Sequence, residues 1–369
     1  MNFVIAAGGT GGHLFPGLAV GEVLRARGHQ VMIIVSEKEI DTVATQGRSE
    51  FRIEKVPGIG LQGKNPLTLI KFVLKFAAGL RQCRALFDDF QPQAVLGMGG
   101  FTSFAPILAG RKRKIPTFVH DSNAIPGKAN KLNARFCTAV LLGFEDCAQY
   151  FPKAKCIVTG TPVRSSLTRP IDRSCALAGF GLDVSRKTLL VMGGSQGARG
   201  LNRAVTDALP ALKASGLQVI HLAGKEDEAR VKAAYAAAGV PAYVAAFFHR
   251  MEEAYAVADL AVARSGAASL TELAHFKLPS ILIPYPFAAE DHQTLNAKVF
   301  ERDGAAVLLP EAIATASTNA PGASPLAQKI QWFLDEPARL SEMAARSAAL
   351  APRDAAGQVA DVILAHAKP

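Results

Sequence analysis

His13 closes a run of glycines, Gly8-Gly9-Thr10-Gly11-Gly12, directly behind the apolar stretch Phe3-Val4-Ile5-Ala6-Ala7. Imidazole titrates near neutral pH, so a histidine presented there can take a proton from a hydroxyl, contact a ligand or cap the following helix. A second turn, Gly193-Gly194-Ser195-Gln196-Gly197, follows Thr188-Leu189-Leu190-Val191-Met192. Strand, glycine turn and helix N-terminus together make an anion site, because unpaired N–H groups converge there and glycine admits a close ligand. Neither turn carries a Walker lysine, and the first lacks the glycine spacing of a dinucleotide fingerprint. Phosphate at the second turn would be held by backbone N–H groups and the Ser195 hydroxyl.

Arg264-Ser265-Gly266-Ala267-Ala268-Ser269-Leu270-Thr271-Glu272 follows the apolar run 259–262. A helix opening at Ser265 or Gly266 offers its N-terminus to a diphosphate, and Glu272, two turns in, can accept from ribose hydroxyls or pair on the surface. Ala289-Glu290-Asp291-His292-Gln293-Thr294-Leu295-Asn296 places Gln293 and Asn296 after a buried strand, where open α/β sheets bind ligands. Adjacent residues rarely ligate one ion, so no metal site is expected. His120-Asp121-Ser122-Asn123 reads more simply as an Asx-type turn than as a catalytic dyad.

These segments are set in alternating strand-like and helix-like runs, the pattern of a parallel sheet. Strands are expected at 2–7, 30–35, 94–97, 116–119 and 139–141, then at 187–192, 217–222, 242–245, 259–262 and 280–283. The first helix should begin near Pro16-Gly17 and end at Gly28. With 369 residues, 49% of them hydrophobic, the chain can build two cores. We expect an N-terminal domain over 1–160, a second over 161–340, and a C-terminal helix within 341–369 returning to the first domain. Two similar α/β units facing each other across a cleft are implied.

Five cysteines without CxxC pairing argue for reduced thiols and against a disulfide framework or zinc site. No basic leader precedes the first strand, and no apolar run reaches the ~18–20 residues of a membrane span. Residues 1–160 carry 20 Lys and Arg against 11 Asp and Glu, whereas 161–369 carry 21 against 20. The excess points to an anionic partner for the first half. The stretch 63–87 sets Phe72 and Phe76 among Lys64, Lys71 and Lys75. Such a stripe suits a membrane interface held by anionic lipid, or else a helix packed on its own core. No nucleic-acid motif accompanies it.

Six segments in one order resemble the MurG family, the peptidoglycan N-acetylglucosaminyltransferases of the two-domain GT-B class. They are Gly8-Gly9-Thr10-Gly11-Gly12-His13, Gly97-Met98-Gly99-Gly100-Phe101, Pro162-Val163-Arg164, Gly193-Gly194-Ser195-Gln196-Gly197-Ala198, Arg264-Ser265-Gly266-Ala267 and Asp291-His292-Gln293. The resemblance implies two Rossmann-like, doubly wound domains separated by a deep cleft. It implies inverting transfer of GlcNAc from UDP-GlcNAc to the MurNAc 4-hydroxyl of lipid I, giving lipid II, without metal or cofactor. Arg164, Ser195, Gly266, Ala267, Ala268, Ser269, Leu270, Thr271, Glu272 and Gln293 would hold the UDP-sugar, with the Phe248 backbone near uracil. Thr10, Gly11, Gly12 and Asn123 would approach the sugar from the other domain, and His13 would be the base. A peripheral position on the cytoplasmic face of the membrane and contact with cell-wall synthesis proteins are also implied. Three departures stand out: His120-Asp121-Ser122-Asn123 for His-Glu-Gln-Asn, Phe247-Phe248-His249-Arg250-Met251 for Phe-Ile-x-Asp-Met, and Thr161 for the usual Asn.

Two other functions fit the same segments. A UDP-sugar epimerase or another glycolipid transferase of this architecture would differ in its acceptor, which a donor-only assay separates. A non-catalytic nucleotide-sugar-binding protein would bind UDP-GlcNAc without transfer.

Overall fold

The computed structural model describes residues 1–37, 49–57, 66–194, 197–316 and 324–367. The chain forms two units, Met1–Arg164 with Pro352–Pro369, and Ser165–Ala351.

The first unit is a parallel sheet of seven strands among the described residues: β1 Asn2–Ala6, β2 Gln30–Val35, β3 Arg52–Lys55, β4 Ala94–Gly97, β5 Thr117–Asp121, β6 Ala139–Leu142 and β7 Cys156–Val158. Their order is β3-β2-β1-β4-β5-β6-β7. The central strands are buried on both faces, which explains their unbroken apolar sequence. Phe3 and Ile5 of β1 join one core with Leu14, Leu18 and Phe118, while Val4 and Ala6 join another with Met32, Cys83 and Phe87. The helix Ala355–His366 closes the first of these by burying Val359, Ala360 and Ile363. Each of the two larger side chains contributes about 1.5–3 kcal/mol by leaving water.

The second unit carries β8 Thr188–Met192, β9 Gln218–Leu222, β10 Ala242–Ala245, β11 Leu260–Ala263, β12 Ser280–Leu282 and β13 Ala306–Leu308, all parallel. Their order is β10-β9-β8-β11-β12-β13. In each sheet the order reverses beside the strand that feeds a glycine turn, β1 in one and β8 in the other. The carboxyl ends of strands at such a switch point are where open α/β sheets bind ligands.

The strands β3, β7 and β13 lie outside the periodic pattern. Each is a short sheet edge, and β3, Arg-Ile-Glu-Lys, is partly exposed and charged, as edges that avoid further pairing are. The first helix spans Gly11–Ala26 and thus starts before Pro16. Thr10, extended, lets its carbonyl accept from His13 and Leu14 N–H, so the helix is already turning when Pro16 arrives. Pro16 lacks only the one N–H that would reach back to Gly12. The chain re-enters the first unit at Pro352, not at 341, because the helix Pro337–Leu350 buries Met343 in the core of the second.

Candidate active site

In the first unit His13 sits in the opening turn of its helix with its ring against the Gly99–Gly100 turn that follows β4. Thr10 Oγ1 and His13 Nδ1 share a hydrogen bond of 3.2 Å. Gly99 has φ +108, and a Cβ there would lie 2.9 Å from His13 Nε2 and 3.3 Å from Asn130 Nδ2. Only glycine fits both the backbone and the space. Thr10 and Gly12 are exposed and Gly11 is half-buried, so the turn faces solvent.

Behind this turn, Asp121 at the end of β5 organises the loop that carries Asn123. Its carboxylate accepts from Asn123 N–H at 3.0 Å, Gly127 N–H at 3.2 Å and Asn130 Nδ2 at 2.9 Å. Burial pushes the Asp121 carboxyl above its usual range, and these donors pull it back. His120 is wholly buried with Nε2 2.9 Å from the Gly160 carbonyl, and burial pushes it down to about 4. It is therefore a neutral structural imidazole, and the shorter acid at 121 is the hub of an Asx-type turn. Sequence reasoning missed Asn130, which only the fold brings to Gly99. Arg164 is the last residue of this unit, its guanidinium 4.7 Å from the centre of the Phe15 ring.

In the second unit the helix Ala267–His275 begins behind an extended Gly266. The Leu270 N–H already bonds the Gly266 carbonyl at 3.0 Å, so the first-turn N–H groups of Ala267, Ala268 and Ser269 are those that point out of the helix. Ala267, Leu270 and Thr271 turn their side chains into the core, and the Thr271 hydroxyl donates to the Ala267 carbonyl. The expected donor contacts at these three therefore have no outward side chain to use. Gly266, Ala268, Ser269 and Glu272 remain at the surface of the turn. Glu272 accepts a 2.7 Å hydrogen bond from the Tyr255 hydroxyl, which fixes the carboxylate two turns from the helix start.

Gln293 is anchored twice: its Oε1 accepts from Tyr285 N–H at 2.9 Å, and its carbonyl accepts from Ser265 Oγ at 2.8 Å. Oε1 is thus committed, which leaves the amide N–H groups as the donating end of the side chain. Phe248 packs against Phe180 and Tyr243, with ring centres 5.0 and 5.9 Å away, and Arg250 pairs with Glu253 at 3.1 Å. Ser195 and Gln196 lie outside the described residues.

Beneath the second glycine turn runs a buried chain of hydrogen bonds. Asn202 Nδ2 donates to the Ala223 carbonyl and to Asp227, both at 2.8 Å, so its oxygen faces His221 Nε2 at 3.0 Å. His221 must donate there, and Tyr235 O–H donates to its Nδ1 at 3.1 Å. Burial pushes His221 down to about 3, so it too is neutral and structural.

The helix Pro66–Phe90 corrects one expectation. Phe72 and Phe76 turn inward, with ring centres 6.3 Å from Phe101 and 4.9 Å from Phe104 respectively. Its exposed face is instead Ile70, Val73 and Leu74, 54–65% accessible, beside Lys71 and Lys75. Lys64 lies outside the described residues. Among the described residues no helix is long and apolar enough to cross a membrane, and no group of three His, Cys, Asp or Glu side chains could hold a metal.

Residues 3–142 match the glycosyltransferase family 28 N-terminal domain and 188–359 the family 28 C-terminal domain. A UDP-N-acetylglucosamine–N-acetylmuramyl-(pentapeptide) pyrophosphoryl-undecaprenol N-acetylglucosamine transferase of Geobacter sulfurreducens is 38% identical over 375 residues, covering 100% of this chain and 99% of that one. The crystal structure of Acinetobacter baumannii MurG is similar with a TM-score of 0.75 at 26% identity, over 99% of this chain and 100% of that one. A Neisseria meningitidis UDP-GlcNAc 2-epimerase bound to UDP-GlcNAc shares the fold, with a TM-score of 0.70 at 14% identity over 99% of this chain and 100% of that one. Two family 28 domains in sequence, and likeness from end to end to a protein named for this transfer, mean that the chain belongs to the MurG family of GT-B glycosyltransferases.

Proposed function

We propose that this protein transfers GlcNAc from UDP-GlcNAc to the MurNAc 4-hydroxyl of lipid I, with inversion and without a metal. The observation that carries the reading is the end-to-end similarity to a relative named for that transfer. The geometry supports it. The acceptor hydroxyl attacks the anomeric carbon as the bond to the UDP oxygen breaks, and the hydroxyl proton passes to His13. The Thr10 hydroxyl, 3.2 Å from His13 Nδ1, supports the ring in that role. Charge growing on the leaving diphosphate is met by the helix N-terminus at Gly266 and by Arg164, which do the work a metal does elsewhere. Glu272 takes the ribose hydroxyls, Gln293 a sugar hydroxyl, and the Phe248 backbone the uracil edge. Radiolabelled transfer from UDP-GlcNAc to a short-chain lipid I analogue, with other UDP-sugars as controls, tests the reading. Turnover of UDP-GlcNAc with no acceptor would favour an epimerase.

Glu272→Ala removes the carboxylate that Tyr255 holds, and should weaken UDP binding by roughly tenfold, the value of about one charge-assisted hydrogen bond. Titration calorimetry checks this, and an unchanged dissociation constant would remove Glu272 from the ribose.

The same reading places the protein on the cytoplasmic face of the membrane, by the Ile70, Val73 and Leu74 face of the first unit. Lys71 and Lys75 beside it would meet anionic headgroups. At about 1 kcal/mol per lysine, replacing both with glutamate should reduce binding to phosphatidylglycerol vesicles by roughly 30-fold or more. Equal co-sedimentation of parent and variant would leave this face without a membrane role.

A further inference from the structure

Arg264 belongs to a motif that the donor site uses, yet its own side chain turns away from solvent. Its side chain is 7% exposed, and that of its partner Glu311, 47 residues later, is 20% exposed. The guanidinium donates from Nη1 to the Ile283 and Pro284 carbonyls at 3.0 and 2.9 Å and from Nη2 to Glu311, and it lies 5.5 Å from the centre of the Tyr285 ring. Its backbone N–H bonds the Met192 carbonyl at the end of β8. The Glu311 carboxylate in turn occupies the space a Cβ on Gly200 would need, at the first turn of the helix Arg199–Asp207. One ion pair thus touches the helix behind the second glycine turn, the end of β11 where the Gly266 helix starts, and the Pro284 carbonyl of the peptide unit whose Tyr285 N–H anchors Gln293.

We propose that Arg264 and Glu311 are a positioning pair for the donor: they do not touch UDP-GlcNAc but fix the spacing between the two helix N-termini and Gln293. This rests on the nucleotide reading above. The chemistry suits the task. A planar guanidinium holds two carbonyls on one nitrogen and a carboxylate on the other at a fixed spacing, which the rotating donors of an ammonium do not impose. The carboxylate is compensated from two sides, by Arg264 and by the positive end of the helix Arg199–Asp207. Removing Glu311 leaves Arg264 as a buried charge with only neutral carbonyls as acceptors, and the surrounding loops must rearrange to hydrate it.

Three variants test the pair: Glu311→Ala, Glu311→Gln and Gly200→Ala. The last pushes the carboxylate aside without altering any charge. UDP affinity is read by calorimetry, KM and kcat by labelled transfer, and folding by circular dichroism melting. Glu311→Ala and Gly200→Ala should each raise the UDP dissociation constant and the donor KM about tenfold, with the acceptor KM unchanged. Glu311→Gln, which keeps an acceptor for Arg264, should recover part of that loss. A folded Glu311→Ala protein with parental UDP affinity would overturn the pair's role alone, even with a lowered melting temperature. A parent protein that binds no UDP would overturn the nucleotide reading and the pair with it.

Discussion

Replacing His13 by alanine should lower the rate of transfer at least ~10²-fold, the usual scale for a positioned general base, while UDP binds with parental affinity. The separation of effects follows from placement. His13 belongs to the first unit, held by Thr10 and the Gly99–Gly100 turn, whereas the Gly266 helix start, Glu272 and Gln293 belong to the second, and Arg164 of the first sets its guanidinium over the Phe15 ring. The ring is half-buried and stands at a helix terminus, so its loss should cost little stability. Rates measured at saturating donor and acceptor isolate the chemical step, and parental turnover there would take His13 out of the mechanism.

Gly99→Ala should be nearly as damaging, although residue 99 supplies no chemical group. Alanine at φ +108 is strained by about 1–3 kcal/mol. Its methyl would also sit 2.9 Å from His13 Nε2 and 3.1 Å from Cδ2, so the ring must move. Displacement of a reacting group by about 1 Å can cost 10²-fold. We expect that order of loss, a melting temperature lower by several degrees, and unchanged UDP affinity. The double variant with His13→Ala should be no slower than His13→Ala alone, because both act through one ring. Additive losses would mean that Gly99 serves the site by another route.

The central strands were legible because a strand buried on both faces needs an unbroken apolar run, and β1, β8 and β11 have one. Both glycine turns could be read for the same reason, each marking where such a run stops. The edge strands β3, β7 and β13 could not, although the edge strand β10 could, since the pairing of the first three owes more to the neighbouring strand than to their own residues. The inward rotation of Phe72 and Phe76 depends on Phe101 and Phe104, some thirty residues on in sequence, which helical periodicity alone cannot supply. Arg264 was visible as a motif member, but its meaning needed Glu311, and nothing local to either residue announces the other. Asp121 read as a turn residue, and the structure adds that this turn is what carries Asn123.

The helix Ala355–His366 completes the core of the first unit, yet it is made after every residue of the second. During synthesis, therefore, the contiguous segment 165–351 can fold as it leaves the ribosome, while the earlier-made sheet waits for Val359, Ala360 and Ile363 to complete its core. The order of folding would then run against the order of translation. The fragment that ends at Arg164 is the one that would need a chaperone, or its own distant helix supplied as a peptide.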